Sequence, residues 1–225
     1  MTRVDVVIPA CNAARTLREA IDSALAQSLP PSRVIVVDDG SADATASVAR
    51  DCGAMVEVVA HASNRGAAAA RNTGIAAATA PYVAFLDADD RWLRDKLERQ
   101  CAALEASAGT MFALCRLREF LSDELDDAER AAFARADTTG LEGWTASTLV
   151  ARRALFAECG GFDEGLRVGE AIDWFSRARS HAHVHLDFVG VERRLHRDNS
   201  TRRAAVSGRD YLDIVRRHLA RKRPA

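Results

Sequence analysis

Apolar and polar positions alternate between two rhythms over the first hundred residues. Short β-branched runs at Val4 to Ala10 ("VDVVIPA"), from Arg33 ("RVIVVDDGS"), at Val56 to Val59 and at Tyr82 to Leu86 predict strands. Leu17, Ile21 and Leu25 recur at helical spacing within Ala13 to Gln27, which predicts a helix between the first two strands. A second helix is expected from about Ala42 to Cys52, opened by the capping residues Ser41 and Asp43. The alanine-rich Gly66 to Thr79 predicts a third despite Gly74, and Trp92 to Glu105 a fourth.

Four strands alternating with helices predict a parallel sheet with right-handed crossovers, covered on both faces. Such sheets bind ligands outside the carboxyl ends of their strands. That rule brings "IPACN", "VDDGS" and "LDADD" to one edge. Beyond about residue 106 the rhythm weakens. Met111 to Leu121 suits a strand, Asp123 to Ala136 an acidic amphipathic helix or a mobile insertion, and Thr145 to Val150 another strand. Ala171 to His181 should be helical, Val184 to Val189 and Val191 to Leu195 are strand candidates, and a last helix is expected over Ser207 to Arg221. With no repeat or low-complexity linker, the second half is expected to build onto the same sheet.

Composition narrows the class. The 225 residues suit one α/β domain with a substantial core, and a net charge of -1 offers no global attraction to nucleic acid. Five scattered cysteines (Cys11, Cys52, Cys101, Cys115, Cys159) without a C-x-x-C pair argue against a disulfide framework or zinc knuckle, so a reducing cytoplasm is the expected location. The chain enters its first apolar run within three residues, too abruptly for a signal peptide, and has no membrane-length apolar run.

The stretch "YVAFLDADDRWL" ends in Asp87, Asp89 and Asp90. In extended backbone Asp87 and Asp89 share a direction and Asp90 points away. Two carboxylates together suit Mg²⁺ or Mn²⁺, which bridge protein oxygens to substrate phosphates; a lone D-x-D more often ends a strand and caps a helix. Asp38 and Asp39 lie at another strand end, where an acceptor-only carboxylate suits a base N–H or a ribose hydroxyl. Arg65 and Arg71, among small residues, offer cations to a diphosphate or simply line a solvated helix face.

Together, in this order, "VVIPACNAARTLREAIDSALAQS", "VIVVDDGSADAT", "NRGAAAARNTGIAAATAPYVAFLDADD" and "GGFDEGL" resemble the family 2 glycosyltransferases of GT-A fold, closely over roughly residues 4 to 105 and again from about 144 to 200. The resemblance implies a single α/β domain of GT-A type, with a Rossmann-like, mostly parallel central sheet flanked by helices. It divides the chain into a nucleotide-sugar-binding half (1–106), an acceptor-side half (107–206) and a C-terminal helix with a basic tail (207–225). Pro9, Ala10 and Asn12 match the first nucleotide loop, Asp39 the acid holding base and ribose, Arg71 the cation near the diphosphate, and Asp87 with Ala88 the donor side of the D-x-D. Asp89, with Asp87 and His196 of "RRLHRDNS", matches the metal site, although His196 also suits a surface position among arginines. Trp144 suits a sugar platform or core packing equally.

The sequence departs from the family at the general base. The aspartate expected after Glu170 is Ala171, so Glu170 at a helix N-terminus, or Asp173 one turn on, is left as the candidate. Both also have structural readings, Glu170 as a cap-region acid and Asp173 as the i,i+4 partner of Arg177. The resemblance implies a metal-dependent, inverting transfer from a nucleotide-diphosphate sugar, UDP-sugar first, to a saccharide, lipid-linked glycan or peptide. One alternative is a donor-binding protein with little transfer activity, given Ala171. Another is a sugar nucleotidyltransferase, disfavoured because "IPACNAART" replaces a glycine-rich phosphate loop. The tail "IVRRHLARKRPA" reads as a solvated basic helix end or a peripheral contact with acidic lipid.

Overall fold

The computed structural model describes residues 2–133, 140–197 and 199. Strands β1 (Val4–Ala10), β2 (Arg33–Asp38), β3 (Val56–Ala60) and β4 (Tyr82–Phe85) form where the apolar runs place them, and pair in parallel in the order β3-β2-β1-β4. Alternation along them feeds two cores, one on each face of the sheet. Val4, Val6 and Ile8 of β1 join Val34 and Val36 of β2 under α1 (Leu17–Leu25), α2 (Thr45–Arg50) and α4 (Lys96–Ala106). Val7, Ile35, Val37, Val83 and Phe85 face the other way, onto α3 (Ala67–Ala77). The register Ala10 to Asp38 and Val7 to Phe85 aligns the carboxyl ends of β1, β2 and β4 on one edge.

The close approach of α3 to the sheet depends on a residue that helix propensity alone disfavours. A Cβ built on Gly74 would meet Val7 Cγ1 at 2.2 Å, inside a site where Val7 is fully buried. Gly74→Ala should therefore destabilise the fold by about 2 kcal/mol through overpacking, despite alanine's better helix propensity. Urea unfolding of the two proteins tests this; an unchanged midpoint would mean that the helix shifts away freely.

The second half extends the same sheet. Strand β8 (Val150–Arg152) pairs antiparallel with β4 and with β6 (Phe112–Leu121), β6 runs parallel to β9 (His183–Leu195), and β5 (Arg91–Trp92) pairs antiparallel with β9. The short β7 (Leu141–Glu142) adds to β6. One mixed, mostly parallel sheet, nine-stranded among the described residues, thus runs through both halves of a single α/β domain.

Several boundaries differ from the sequence expectation. Residues 145–150 do not form one strand. Ala146–Thr148 is a turn of 3₁₀ helix, because the Thr148 hydroxyl bonds the Thr145 carbonyl at 2.9 Å and also that of Gly143. The two strands expected over Val184 to Leu195 are one, bent by a register shift against β6 around Arg116. Helix α2 starts at Thr45. Asp43 accepts the Thr45 N–H at 2.9 Å, whereas Ser41 accepts the Asn12 N–H at 2.8 Å and caps nothing. Within the acidic stretch α5 spans Asp127–Phe133 with no buried side chain, and the helix expected over Ser207 to Arg221 lies outside the described residues. The five cysteines are unbridged, and among the described residues no helix is long and apolar enough to cross a membrane.

Candidate active site

At the shared strand edge lies an open cavity of about 910 Å³. Its walls come from β1 and its loop (Pro9, Ala10, Asn12), the end of β2 (Asp39), the start of α3 (Gly66, Arg71), the β4 loop (Asp87 to Asp90), the start of α7 (Glu170–Ala178) and the exit from β9 (Arg194, His196).

Asn12 takes a left-handed backbone conformation, φ 51°, and its amide oxygen accepts the Ala42 N–H at 2.8 Å, tying the β1 loop to the β2 loop. Asp38 closes its own turn by accepting the Ser41 N–H at 3.2 Å. Asp39 is different. It is buried at the cavity wall and accepts three hydrogen bonds, from Arg65 N–H at 2.9 Å, Gly66 N–H at 2.8 Å and the His61 ring at 2.6 Å. An ionised carboxylate has about four acceptor positions, so room is left for one donor from a ligand.

Arg71 is 5% exposed and bridges two carboxylates on the cavity wall. One terminal nitrogen donates to Asp87 at 2.6 Å and the other to Glu170 at 2.5 Å, while its buried Nε has no acceptor among the described residues. Burial alone would lower its pKa, but the facing Asp87 and Glu170 charges outweigh that and raise it, so the guanidinium stays charged. Arg65, the second arginine expected at a diphosphate, turns outward to the exposed Glu164 at 3.2 Å and is absent from the cavity wall; its backbone serves Asp39 instead.

The acids of the β4 loop separate by role. Asp87 is held by Arg71, and Ala88 lies between as part of the wall. Asp89 lies 2.8 Å from His196 Nε2, both facing the cavity. Asp90 tucks beneath the loop, accepting from the Ser147 hydroxyl at 2.9 Å and the Arg194 N–H at 3.1 Å; burial first, then the charges of Asp89 and Asp87, push its carboxyl well above the usual range. Of the expected metal set, Asp89 and His196 meet and Asp87 does not join them. Among the described residues no three His, Cys, Asp or Glu side chains are grouped to hold an ion. The Asp89 carboxylate nevertheless fits Mg²⁺ or Mn²⁺, which commonly take one or two protein carboxylates and complete their shell with phosphate oxygens and water, and the His196 imidazole beside it suits the softer Mn²⁺ better than Mg²⁺.

The acceptor-side acids are decided by burial. Asp173, a candidate base from sequence, is 1% exposed, lies outside the cavity wall and binds Arg177 at 2.9 Å; Arg177 in turn bonds the Gly161 carbonyl at 2.7 Å. Through Arg177 it fastens the "GGFD" turn. Glu170 opens α7 on the wall, followed by Ala171 and the exposed Ile172. Trp144 packs edge-on against Phe175 at 5.3 Å, is 37% exposed and lines the cavity. His61, Ser147 and Arg194 went unrecognised from the sequence. Their partners lie 22, 57 and 105 residues away, as His61 to Asp39, Ser147 to Asp90 and Arg194 to the Asp89 carbonyl, and no local pattern reports such distances.

A model of glycosyl transferase family 2 matches residues 5–156. The succinoglycan biosynthesis protein ExoO of Rhizobium meliloti is 36% identical over 187 residues, covering 74% of this chain and 53% of that protein. A pre-mycofactocin glycosyltransferase of Mycobacterium tuberculosis is 37% identical over 185 residues, covering 76% of this chain and 37% of that one. This chain thus spans about half the length of the first of these relatives and 37% of the second. Among solved structures, S. aureus TarS 1-349 in complex with UDP-GlcNAc superposes with a TM-score of 0.77 at 20% identity, over 96% of this chain and 65% of that one. The mannosyltransferase PcManGT of Pyrobaculum calidifontis, in complex with GDP-Man and Mn²⁺, gives 0.74 at 21% identity, over 99% and 65%. At these identities the likeness speaks for the fold.

Proposed function

The chain belongs to glycosyl transferase family 2, and from that premise we propose that it transfers a sugar, with inversion, from a nucleoside-diphosphate sugar to an acceptor hydroxyl. The observation that carries this reading is the set of groups gathered on one cavity wall: Asp39, Arg71 paired with Asp87 and Glu170, and Asp89 beside His196. Nucleoside, diphosphate and acceptor each find a group of suitable charge among them. UDP-sugar is the first donor to test. Neighbours solved with UDP-GlcNAc and with GDP-Man and Mn²⁺ support the donor class and a divalent cation.

Pro9, Ala10 and Asn12 border the nucleoside, and Asp39 accepts a hydrogen from its base or ribose. Arg71 attracts the diphosphate, beside Asp87 and Ala88. That attraction competes with Glu170 for the same guanidinium, so donor binding leaves the Glu170 carboxylate to take a proton from the acceptor hydroxyl. Asp89 and His196 would hold Mg²⁺ or Mn²⁺, which when bound stabilises negative charge on the departing diphosphate. The acceptor is a saccharide, lipid-linked glycan or peptide.

A second reading, a donor-binding protein without efficient transfer, draws on Ala171 and on the engagement of Glu170 by Arg71. Calorimetry with UDP and GDP, with and without Mn²⁺, tests the donor site. The Mn²⁺-dependent increment in affinity should vanish in Asp89→Ala while the metal-free part survives. Absence of any nucleotide binding by the parent protein would defeat both readings; an intact Mn²⁺ increment in the variant would remove Asp89 from the cation site.

A further inference from the structure

We propose that His61 is a positioning residue for the donor nucleoside, acting through Asp39. This rests on the donor-site reading above and adds a residue to it. His61 follows the last residue of β3, and its N–H donates to the Asp38 carbonyl at 2.9 Å, so the β2–β3 ladder continues one step past the strand and sets the ring beside Asp39. The side chain is 6% exposed, and both ring nitrogens are used. Nδ1 lies 2.6 Å from Asp39 Oδ1 and Nε2 lies 2.9 Å from the Thr73 hydroxyl on α3.

Asp39 already accepts the Arg65 and Gly66 N–H groups, and a carboxylate accepts from the ring as well, so Nδ1 carries the hydrogen toward Asp39. The Thr73 hydroxyl, which can donate or accept, satisfies Nε2 and fixes the orientation of the ring. With the Arg65 and Gly66 N–H groups, His61 completes three donors that fix the carboxylate from the protein side. Oδ1 takes two of them and Oδ2 one, so the position left for a ligand is on Oδ2. His61 itself is not part of the cavity wall. It never needs to touch the donor. Its effect is to keep Asp39 from rotating, so that one acceptor position stays presented to the base or ribose instead of being reorganised at each binding event.

The alternative is that His61 merely fastens the β3 exit to α3. The two roles differ in what the ligand feels. Nucleotide binding is measured by calorimetry with UDP and GDP, and the phosphate end is read separately with inorganic pyrophosphate and Mn²⁺. In His61→Ala, affinity for the nucleotide that the parent prefers should fall about 10- to 100-fold, as for loss of a hydrogen bond to a charged group that orients the ligand contact. Pyrophosphate affinity should stay within about twofold, since Arg71 and Asp89 are untouched. His61→Asn, whose side-chain amide can still donate to Asp39, should recover most of the loss. In an Asp39→Ala background the His61→Ala change should cost nothing further, because its only route to the nucleoside is gone.

Equal losses for nucleotide and pyrophosphate, or full additivity with Asp39→Ala, would assign His61 a structural role and overturn the proposal. If His61→Ala does not fold, His61→Asn and Thr73→Val carry the test: the first should bind nearly as the parent does and the second somewhat more weakly for nucleotide alone. Parental nucleotide binding in His61→Ala also overturns it. A parent protein that binds neither UDP nor GDP instead overturns the donor-site reading itself, so the two failures are distinguishable.

Discussion

Glu170→Gln should reduce glycosyl transfer about 10²- to 10⁴-fold, the range for loss of a general base, while nucleotide affinity holds or rises slightly. The substitution preserves shape and removes the charge. The carboxamide oxygen can still accept from Arg71, so the guanidinium is not left unpartnered, yet it no longer faces a full negative charge competing with the donor diphosphate. The structure makes the comparison with Asp173 sharp. Asp173→Asn weakens a buried pair with Arg177 and so should lower thermal stability, with any fall in transfer following the fall in folded protein. Transfer of labelled sugar into the acceptor, nucleotide release into water, and melting are the three readouts. Water does not report activation of an acceptor hydroxyl, so the base role predicts a large drop in the first and a small one in the second. Full transfer by Glu170→Gln would falsify the assignment and favour a base supplied by the substrate. If the parent itself transfers little, Ala171→Asp, which restores an acid beside Glu170 on the wall, should raise transfer; no rise would mean that the acceptor does not approach this turn of α7.

The first hundred residues disclosed their fold because β1, β2 and β4 are buried on both faces and so are written as largely apolar runs, while the edge strand β3 is only partly buried. Val4 to Ile8 and Val34 to Val37 needed no tertiary information. The common edge, and with it the meeting of Asn12, Asp39 and the β4 loop, followed from topology, whereas Arg71 was placed beside them by the family resemblance. What did not follow depended on partners far off in the chain. Residues 145–150 look like a strand by composition, yet Thr148 folds back on its own turn and Ser147 is drawn to Asp90. Trp92 was expected to open a helix but pairs with Val191 in β5, and its indole N–H goes to the Ser147 carbonyl at 2.9 Å. Arg65 and Arg71 were equivalent in sequence. One helical start separates them: Arg65 precedes α3 and turns out, whereas Arg71 lies on its buried face. Asp173 shows the same kind of cause: its burial and its pairing with Arg177 depend on the packing of α7 and are not written in the local sequence.

Burial also sets up the second large effect, at Lys96. This lysine opens α4 fully buried, with its ammonium 4.0 Å from the Trp92 ring and no hydrogen-bond partner among the described residues. Desolvation pushes its pKa down from 10.5 to about 8, with the nearby Cys115 and Cys101 opposing only weakly. In the unfolded chain the group regains its ordinary pKa. Below pH 8 both states are protonated and the fold bears the whole penalty, about 3 kcal/mol; between roughly pH 8 and 10.5 the unfolded state binds more protons, so this contribution to stability improves as pH rises. Lys96→Met keeps the stem volume and removes the charge, at the loss of a cation–π contact of about 0.5–2 kcal/mol. The variant should therefore be more stable than the parent at pH 7 by about 1–3 kcal/mol, and the advantage should shrink steadily toward pH 10. The comparison must be between the two proteins, because the buried thiols act in the opposite sense. Burial raises Cys101 to about 12 and lifts Cys115 as well, so the unfolded state loses their protons first and stability falls above about pH 9 in both proteins. Urea unfolding at pH 7, 8.5 and 10 isolates the lysine. A variant less stable than its parent at pH 7 would mean that the indole face compensates the ammonium for its lost water, and a gap constant across the three pH values would mean that Lys96 does not titrate in this range.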